Sequence, residues 1–164
     1  MSCWKVTYLL ILCVFASTTS FAQNAQNSFT KNDFYQAMAG EDAAAIDRQL
    51  DLLKTASVKD KTAFEGALLM KKASLAAGPK KKLDLFKKGH KKLEAVIEKD
   101  SVNAEYRFLR LMIQEHAPKI LGYRKEMEAD KNFIKNNYKK LPPVVQEAVA
   151  NYSKASGVLK PADL

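Results

Sequence analysis

His90 and His116 are the only imidazoles in this 164-residue chain, and Cys3 and Cys13 are its only thiols. Both cysteines fall before residue 22, so the chain beyond that point can form no disulfide, no thiolate metal site and no cysteine nucleophile. Each histidine stands alone: no second ligand falls at metal spacing, and no His-Glu-x-x-His occurs. There is neither a glycine-rich phosphate loop nor a Gly-x-Ser-x-Gly elbow. Glu126 and Glu128 are two apart and do not share a helix face. On helical spacing His90 lies in an apolar arc beside Leu83 and Ile97, and His116 lies near Leu109 and Met112. That placement predicts core histidines, each with one satisfied nitrogen. These residues predict no catalytic set, no metal and no cofactor. An unrecognised hydrolase with scattered catalytic groups remains the outlying reading, because function is argued from a site and not from a fold.

What is left is recognition by charge. Arg107, Arg110 and Gln114 stand at i, i+3 and i+7 and so share one face of a helix. A guanidinium matches a carboxylate through two parallel hydrogen bonds, which suits an acidic peptide or a chain terminus. The alternative is internal pairing of the arginines with acids of the same domain. A second basic set, Lys87, Lys88, Lys91 and Lys92, covers one side of the stretch 80–99. It reads either as a solvated face, whose lysine stems merely cover the helix, or as a patch that lands on an anionic surface. Within the same stretch, Asp84 and Lys88 are spaced to pair.

The elements that carry these residues are helices. In NAEYRFLRLMIQEHA, Asn103 to Ala117, apolar side chains spread over most of the circumference, which predicts a central helix buried among neighbours. Asn103 is a suitable N-cap, and Pro118 pushes the preceding residue out of helical geometry. The segment 61–77 shows two apolar stripes, Phe64, Leu68 and Leu75 beside Gly66, Leu69, Met70 and Ala73, so it predicts contacts on two sides. Gly78-Pro79 stops it and starts the amphipathic helix 80–99. Ahead of these, 32–39 predicts a short helix capped by Asn32 or Asp33, and 41–54 a better one carrying Ile46, Leu50 and Leu53. The segment 118–141 predicts a long helix with Ile120, Met127, Ile134 and Leu141 at a spacing of seven. A last helix follows Pro142-Pro143, bearing Val145, Ala148, Val149 and Tyr152, after which Val158 and Leu159 tuck back. Seven helices and no credible strand make an all-α chain.

Residues 1–22 predict a cleavable secretory signal peptide. A short n-region holds Lys5, the apolar run is Val6 to Phe15, and Ser20-Phe21-Ala22 sets a cut after Ala22. The apolar run is too short for a membrane span, so no transmembrane segment is expected after cleavage. Residues 23–30 predict a flexible lead, and residues 31–160 a single domain, monomeric and periplasmic or secreted. Lys5 is the only charge of the signal, so 26 of the 27 basic residues remain against 18 acidic ones. That excess points to anionic lipid, polysaccharide or acidic protein. No groove-reading motif supports nucleic acid.

The run Phe64 to Met70 overlays Tyr106 to Met112 at an offset of 42, each followed by a proline-bearing turn and a long helix. Such a period marks stacked helical hairpins. The junction Gly89-x3-Leu93-x2-Val96-x3-Asp100-Ser101-x-Asn103-Ala104-Glu105-Tyr106 resembles the link between tetratricopeptide (TPR) repeats, with Ser101 where that family has proline. The first-helix Trp, Leu and Gly positions of the family are not matched. The resemblance covers roughly Thr62 to Lys140 and implies a short TPR-like solenoid of antiparallel hairpins. The whole chain also resembles small uncharacterised secreted proteins of Gram-negative bacteria, through Ala67 to Ala73 (ALLMKKA) and Asn103 to Leu111 (NAEYRFLRL); no activity follows from that likeness. In TPR-type stacks the first helices of the hairpins line a concave face that takes a peptide. The offset would gather Glu65, Lys72, Arg107, Arg110 and Gln114 there as one partner-binding face. The expectation is therefore an exported protein- or peptide-interaction module of the cell envelope. Its alternative is a basic module docking on anionic envelope polysaccharide or lipid.

Overall fold

The structure, a computed structural model, describes residues 28–164. The expected signal segment and most of the lead lie outside the described residues. Seven α-helices follow: α1 Lys31–Ala39, α2 Ala43–Thr55, α3 Lys61–Leu75, α4 Pro79–Lys99, α5 Ala104–His116, α6 Met127–Asn137 and α7 Pro143–Ala155. Three short 3-10 turns sit at Lys119–Leu121, Tyr138–Lys140 and Pro161–Asp163. No strand occurs among the described residues.

The helix starts are set by side chains that satisfy first-turn N–H groups. Asn103 Oδ1 accepts from the N–H of Glu105 and Tyr106 at the head of α5. Asp42 does the same for Ala44 in α2. In α1 the cap is Thr30, whose hydroxyl oxygen accepts from Asp33 N–H. Neither Asn32 nor Asp33 is the cap, because a cap must precede the helical turn that it closes. Between α3 and α4, Gly78 takes φ +79°, a left-handed conformation that glycine enters without Cβ strain. Pro79 then opens α4 with its φ already helical.

α3 and α4 form the tightest pair. They cross where Gly66 meets Gly89: a Cβ on Gly66 would stand 2.9 Å from the Gly89 carbonyl oxygen, and one on Gly89 2.5 Å from the Gly66 carbonyl oxygen. The two backbones thus touch. Around the crossing Phe64, Leu68, Met70 and Leu93 are buried. α5 and α6 form a second hairpin, and α3 and α5, its counterparts at the offset of 42, also pack together. α5 buries Phe108, Leu109, Leu111 and Ile113, as its near-continuous apolar surface predicts.

α1 ties the hairpins together. Phe34 has no exposed surface and packs on Phe64 of α3 with ring centroids 4.7 Å apart, while Tyr35 lies 5.8 Å from Phe108 of α5. Phe108 in turn meets Tyr152 of α7 edge-on at 5.5 Å. α1 also packs directly against α7, so the first and last of the described helices meet. The described residues are thus all-α, and their helix packing is compatible with a helical repeat.

The expected long helix over 118–141 is not continuous. Lys119–Leu121 is a 3-10 turn, Gly122 takes φ +63°, and α6 begins only at Met127. The cause is local. Arg124 folds back to donate to the carbonyls of Ala117 (3.0 Å) and Glu115 (2.8 Å) at the open end of α5. Only a loop allows that return. Ile134 and Leu141 are buried as expected, but Ile120 is 94% exposed.

Alanine for glycine inside a helix ordinarily stabilises by about 1 kcal/mol. Here the sign should reverse. Gly66→Ala or Gly89→Ala should lower stability by about 1–3 kcal/mol through overpacking at the crossing, read as a lower urea midpoint with an unchanged slope.

Candidate functional site: the arginine arc and the lysine side of α4

Asp130 lies in α6 with no exposed surface. A bare carboxylate there would be very costly, so every lone pair must be met. Arg110 donates from Nε to Oδ2 (2.6 Å) and from Nη2 to Oδ1 (2.7 Å), the two-handed geometry of a guanidinium on a carboxylate. Arg107 Nη1 adds a third bond to Oδ1 at 3.0 Å. The remaining arms are also used. Arg110 Nη1 donates to Glu94 of α4 at 2.8 Å, and Arg107 Nε donates to the Ser101 carbonyl. The Arg107 guanidinium covers the Phe133 ring at 4.4 Å. Burial opposes the charge on Arg110, but the bonds to Asp130 and Glu94 outweigh it and hold the guanidinium well above its usual range. The Tyr123 hydroxyl then donates to the other Glu94 oxygen at 2.6 Å. Burial, reinforced by Glu94, raises the Tyr123 phenol far above the ordinary tyrosine value, so it stays a donor.

Of the five residues expected to form one partner face, Glu65, Lys72, Arg107 and Arg110 are thus paired within the domain, at three separate joints. Glu65 accepts from Lys92 of α4 at 2.9 Å, and Lys72 pairs with Asp47 of α2. Arg107 and Arg110 close the α5–α6 joint. Gln114 is buried, and its side-chain oxygen has no hydrogen-bond partner. Of the two alternatives for the arginines, the geometry shows internal pairing. The face over α3 and α5 is also occupied, because α1 packs there. Lys31 donates to Glu105 at 2.6 Å and the Tyr35 hydroxyl donates to the same carboxylate at 2.9 Å.

Two further carboxylates are held by tyrosines. Tyr106 donates to Asp60 at 2.6 Å. Glu115 accepts from Tyr152, from the Ser156 hydroxyl (2.7 Å) and from the Gly157 N–H (2.5 Å). Burial alone would raise the Glu115 carboxyl; those three donors outweigh it and hold the group below the ordinary glutamate value.

The histidines are not core residues of the expected kind. His116 is exposed at the end of α5. His90 is half-buried, stacked on Phe86 at 6.0 Å and edge-on to Tyr123 at 4.8 Å. Among the described residues no three His, Cys, Asp or Glu side chains gather at ligating distance.

The lysine side of α4 presents the opposite picture. Lys87, Lys88 and Lys91 are exposed and hold no ion pair among the described residues, and the same is true of Lys80 and Lys81 one to two turns earlier. Lys92 is turned toward α3 by Glu65. Asp84 and Lys88 are spaced to pair but do not. Lys80 and Lys81, with Lys119 and Lys125 of the loop before α6, carry exposed charge that sequence reasoning passed over, and Ile120, expected in an apolar spacing of seven, is exposed beside them. Pro118 and Gly122 bracket Lys119–Leu121, and that bracketing was the available signal for a turn.

Comparison with family models, curated proteins and solved structures finds no match for the chain.

Removing one partner of a buried ion pair strands the other. Arg110→Ala should therefore cost about 3–5 kcal/mol, a large part of the roughly 5–15 kcal/mol that holds an ordinary domain. Arg107→Ala leaves Asp130 its two-handed partner and should cost about 1 kcal/mol; thermal melts of the two variants give the comparison. Glu115 tests the pH side. Its folded value is depressed, so its contribution is present above the unfolded glutamate value and fades as pH falls through the folded one. Glu115→Gln should cost about 1–2 kcal/mol at neutral pH. In urea titrations the gap to the parent protein should close as pH drops from about 5 toward 3.

Proposed function

We propose that this chain is an exported binding module of the cell envelope, without catalytic activity, that docks on an anionic surface through the lysine side of α4. One contrast carries the reading. Arg107 and Arg110, the pair expected to grip a carboxylate, are consumed inside the domain, while Lys80, Lys81, Lys87, Lys88 and Lys91 are exposed and carry no ion pair among the described residues. They lie along roughly 17 Å of helix, with Asp84 the one acid among them. Unpaired lysines on one side of a rigid helix sum to a directed positive field that draws polyanions. The Gly66–Gly89 crossing and the Arg110–Asp130 joint supply that rigidity. The signal-peptide pattern of residues 1–22 supports the compartment.

Recognition of a protein or peptide keeps one foothold, away from the arginine arc. A cleft of about 660 Å³ opens between α1 and α2, lined by Asp33, Gln36, Asp42, Arg48, Gln49 and Leu52 among others. Arg48 is exposed there without an ion pair, and Gln49 keeps a buried side-chain oxygen with no hydrogen-bond partner.

The two readings separate on a polyglutamate column and in crosslinked envelope extract, using Lys87→Glu/Lys88→Glu/Lys91→Glu and Arg48→Glu. The lysine variant should elute at much lower salt while keeping its melting temperature. Binding of the parent protein should fade as salt rises from about 0.1 M to about 1 M, where the Debye length shrinks from about 10 Å to about 3 Å. Unchanged retention of the lysine variant refutes docking through α4. A discrete crosslinked protein lost with Arg48→Glu alone selects the cleft.

A further inference from the structure

We infer that the anionic surface is a lipid bilayer, and that Ile120 is the side chain that enters it. The inference rests on the docking reading above and adds an apolar contact that a soluble polyanion would not need. The α4 flank next to the lysines carries Leu83, Phe86, His90 and Glu94. Tyr123 fastens the loop before α6 onto this flank. Its ring meets Phe86 edge-on at 5.4 Å and His90 at 4.8 Å, and its hydroxyl donates to Glu94. Ile120 is three residues earlier, so its Cα lies within about 11 Å of that anchor.

The exposure of Ile120 is built into the turn. Leu121 N–H bonds the Pro118 carbonyl and Gly122 N–H bonds the Lys119 carbonyl, both at 3.0 Å. Gly122 supplies the left-handed residue that reverses the chain. Arg124 clamps the far side of the loop to the last carbonyls of α5. A β-branched aliphatic side chain is thereby held outward at the tip of a pinned turn, 94% exposed. Lys119 and Lys125 flank it, both exposed, and Leu83 on the neighbouring flank is 40% exposed. Glu126 is the exposed acid nearest in sequence to the turn, and Asp84 is the one within the α4 stripe. Cations beside a projecting aliphatic group match the headgroup region of an anionic leaflet. Lysines sit among the phosphates, and the apolar tip reaches the acyl boundary. No helix among the described residues is long and apolar enough to cross a membrane, so the contact is peripheral.

The test is flotation of the purified protein with vesicles of phosphatidylcholine alone and of phosphatidylcholine with an equal part of phosphatidylglycerol, beside retention on polyglutamate. The parent protein should float with the anionic vesicles and not with the neutral ones. Ile120→Ser should weaken vesicle binding by about 10-fold and leave polyglutamate retention unchanged. Being fully at the surface, it should also leave the melting temperature in place. Lys87→Ala/Lys88→Ala/Lys91→Ala should weaken vesicle binding on the order of 100-fold and weaken polyglutamate retention as well. If Ile120→Ser floats like the parent protein, or if polyglutamate is bound and anionic vesicles are not, the bilayer inference is overturned while docking through α4 stands. If the triple lysine variant binds both ligands like the parent protein, both fall.

Discussion

Asp130 is the constraint from which much of the architecture follows. A carboxylate with no exposed surface has to be surrounded by donors, and three of its bonds come from two arginines one turn apart on α5. α6 is short, with Ile134 fully buried and Met127 and Phe133 packed against the core beside this joint. Arg110 spends its remaining arm on Glu94, which draws the inner flank of α4 against α5. Glu94 in turn receives Tyr123 and pins the loop before α6. With Gly89, Leu93 and Ile97 buried on one side of α4, helical periodicity turns Lys87, Lys88 and Lys91 toward solvent.

Polar groups of long side chains recur as fasteners. Tyr35, Tyr106, Tyr123 and Tyr152 each donate a hydroxyl to a carboxylate on another segment: Glu105, Asp60, Glu94 and Glu115. In all four, burial first and the neighbouring carboxylate second raise the phenol above its usual range, so the donor does not ionise under ordinary conditions. These pairs combine an apolar ring in the core with a directional bond at its rim. They hold a disulfide-free segment in register where apolar contact alone would tolerate slippage.

Local chemistry made most of the helices legible. Asn103 and Pro118 bounded α5, Gly78-Pro79 separated α3 from α4, and the apolar spacing of 61–99 located the hairpin. Gly66 and Gly89 were visible as members of apolar stripes, yet nothing in a stripe says that two glycines 23 residues apart will touch. The continuous helix over 118–141 failed because a spacing of seven was allowed to outweigh Pro118 and Gly122. Ile120 consequently moved from the core to the surface. The arginine arc was correctly placed on one helix face, but its partner Asp130 lies 20 residues on, and pairing at that range leaves no periodic trace. His116 sat on an apolar arc of the helical wheel but occupies the final turn, where the core no longer covers it.

The contact between α1 and α7 bears on how the domain comes apart. In an open array of hairpins the ends fray first, and repeats can be gained or lost with little effect on the rest. Here the two ends are each other's lining, and Phe34 reaches the centre of the array from the first helix. Loss of either end uncovers the middle, which favours a single cooperative transition over stepwise melting.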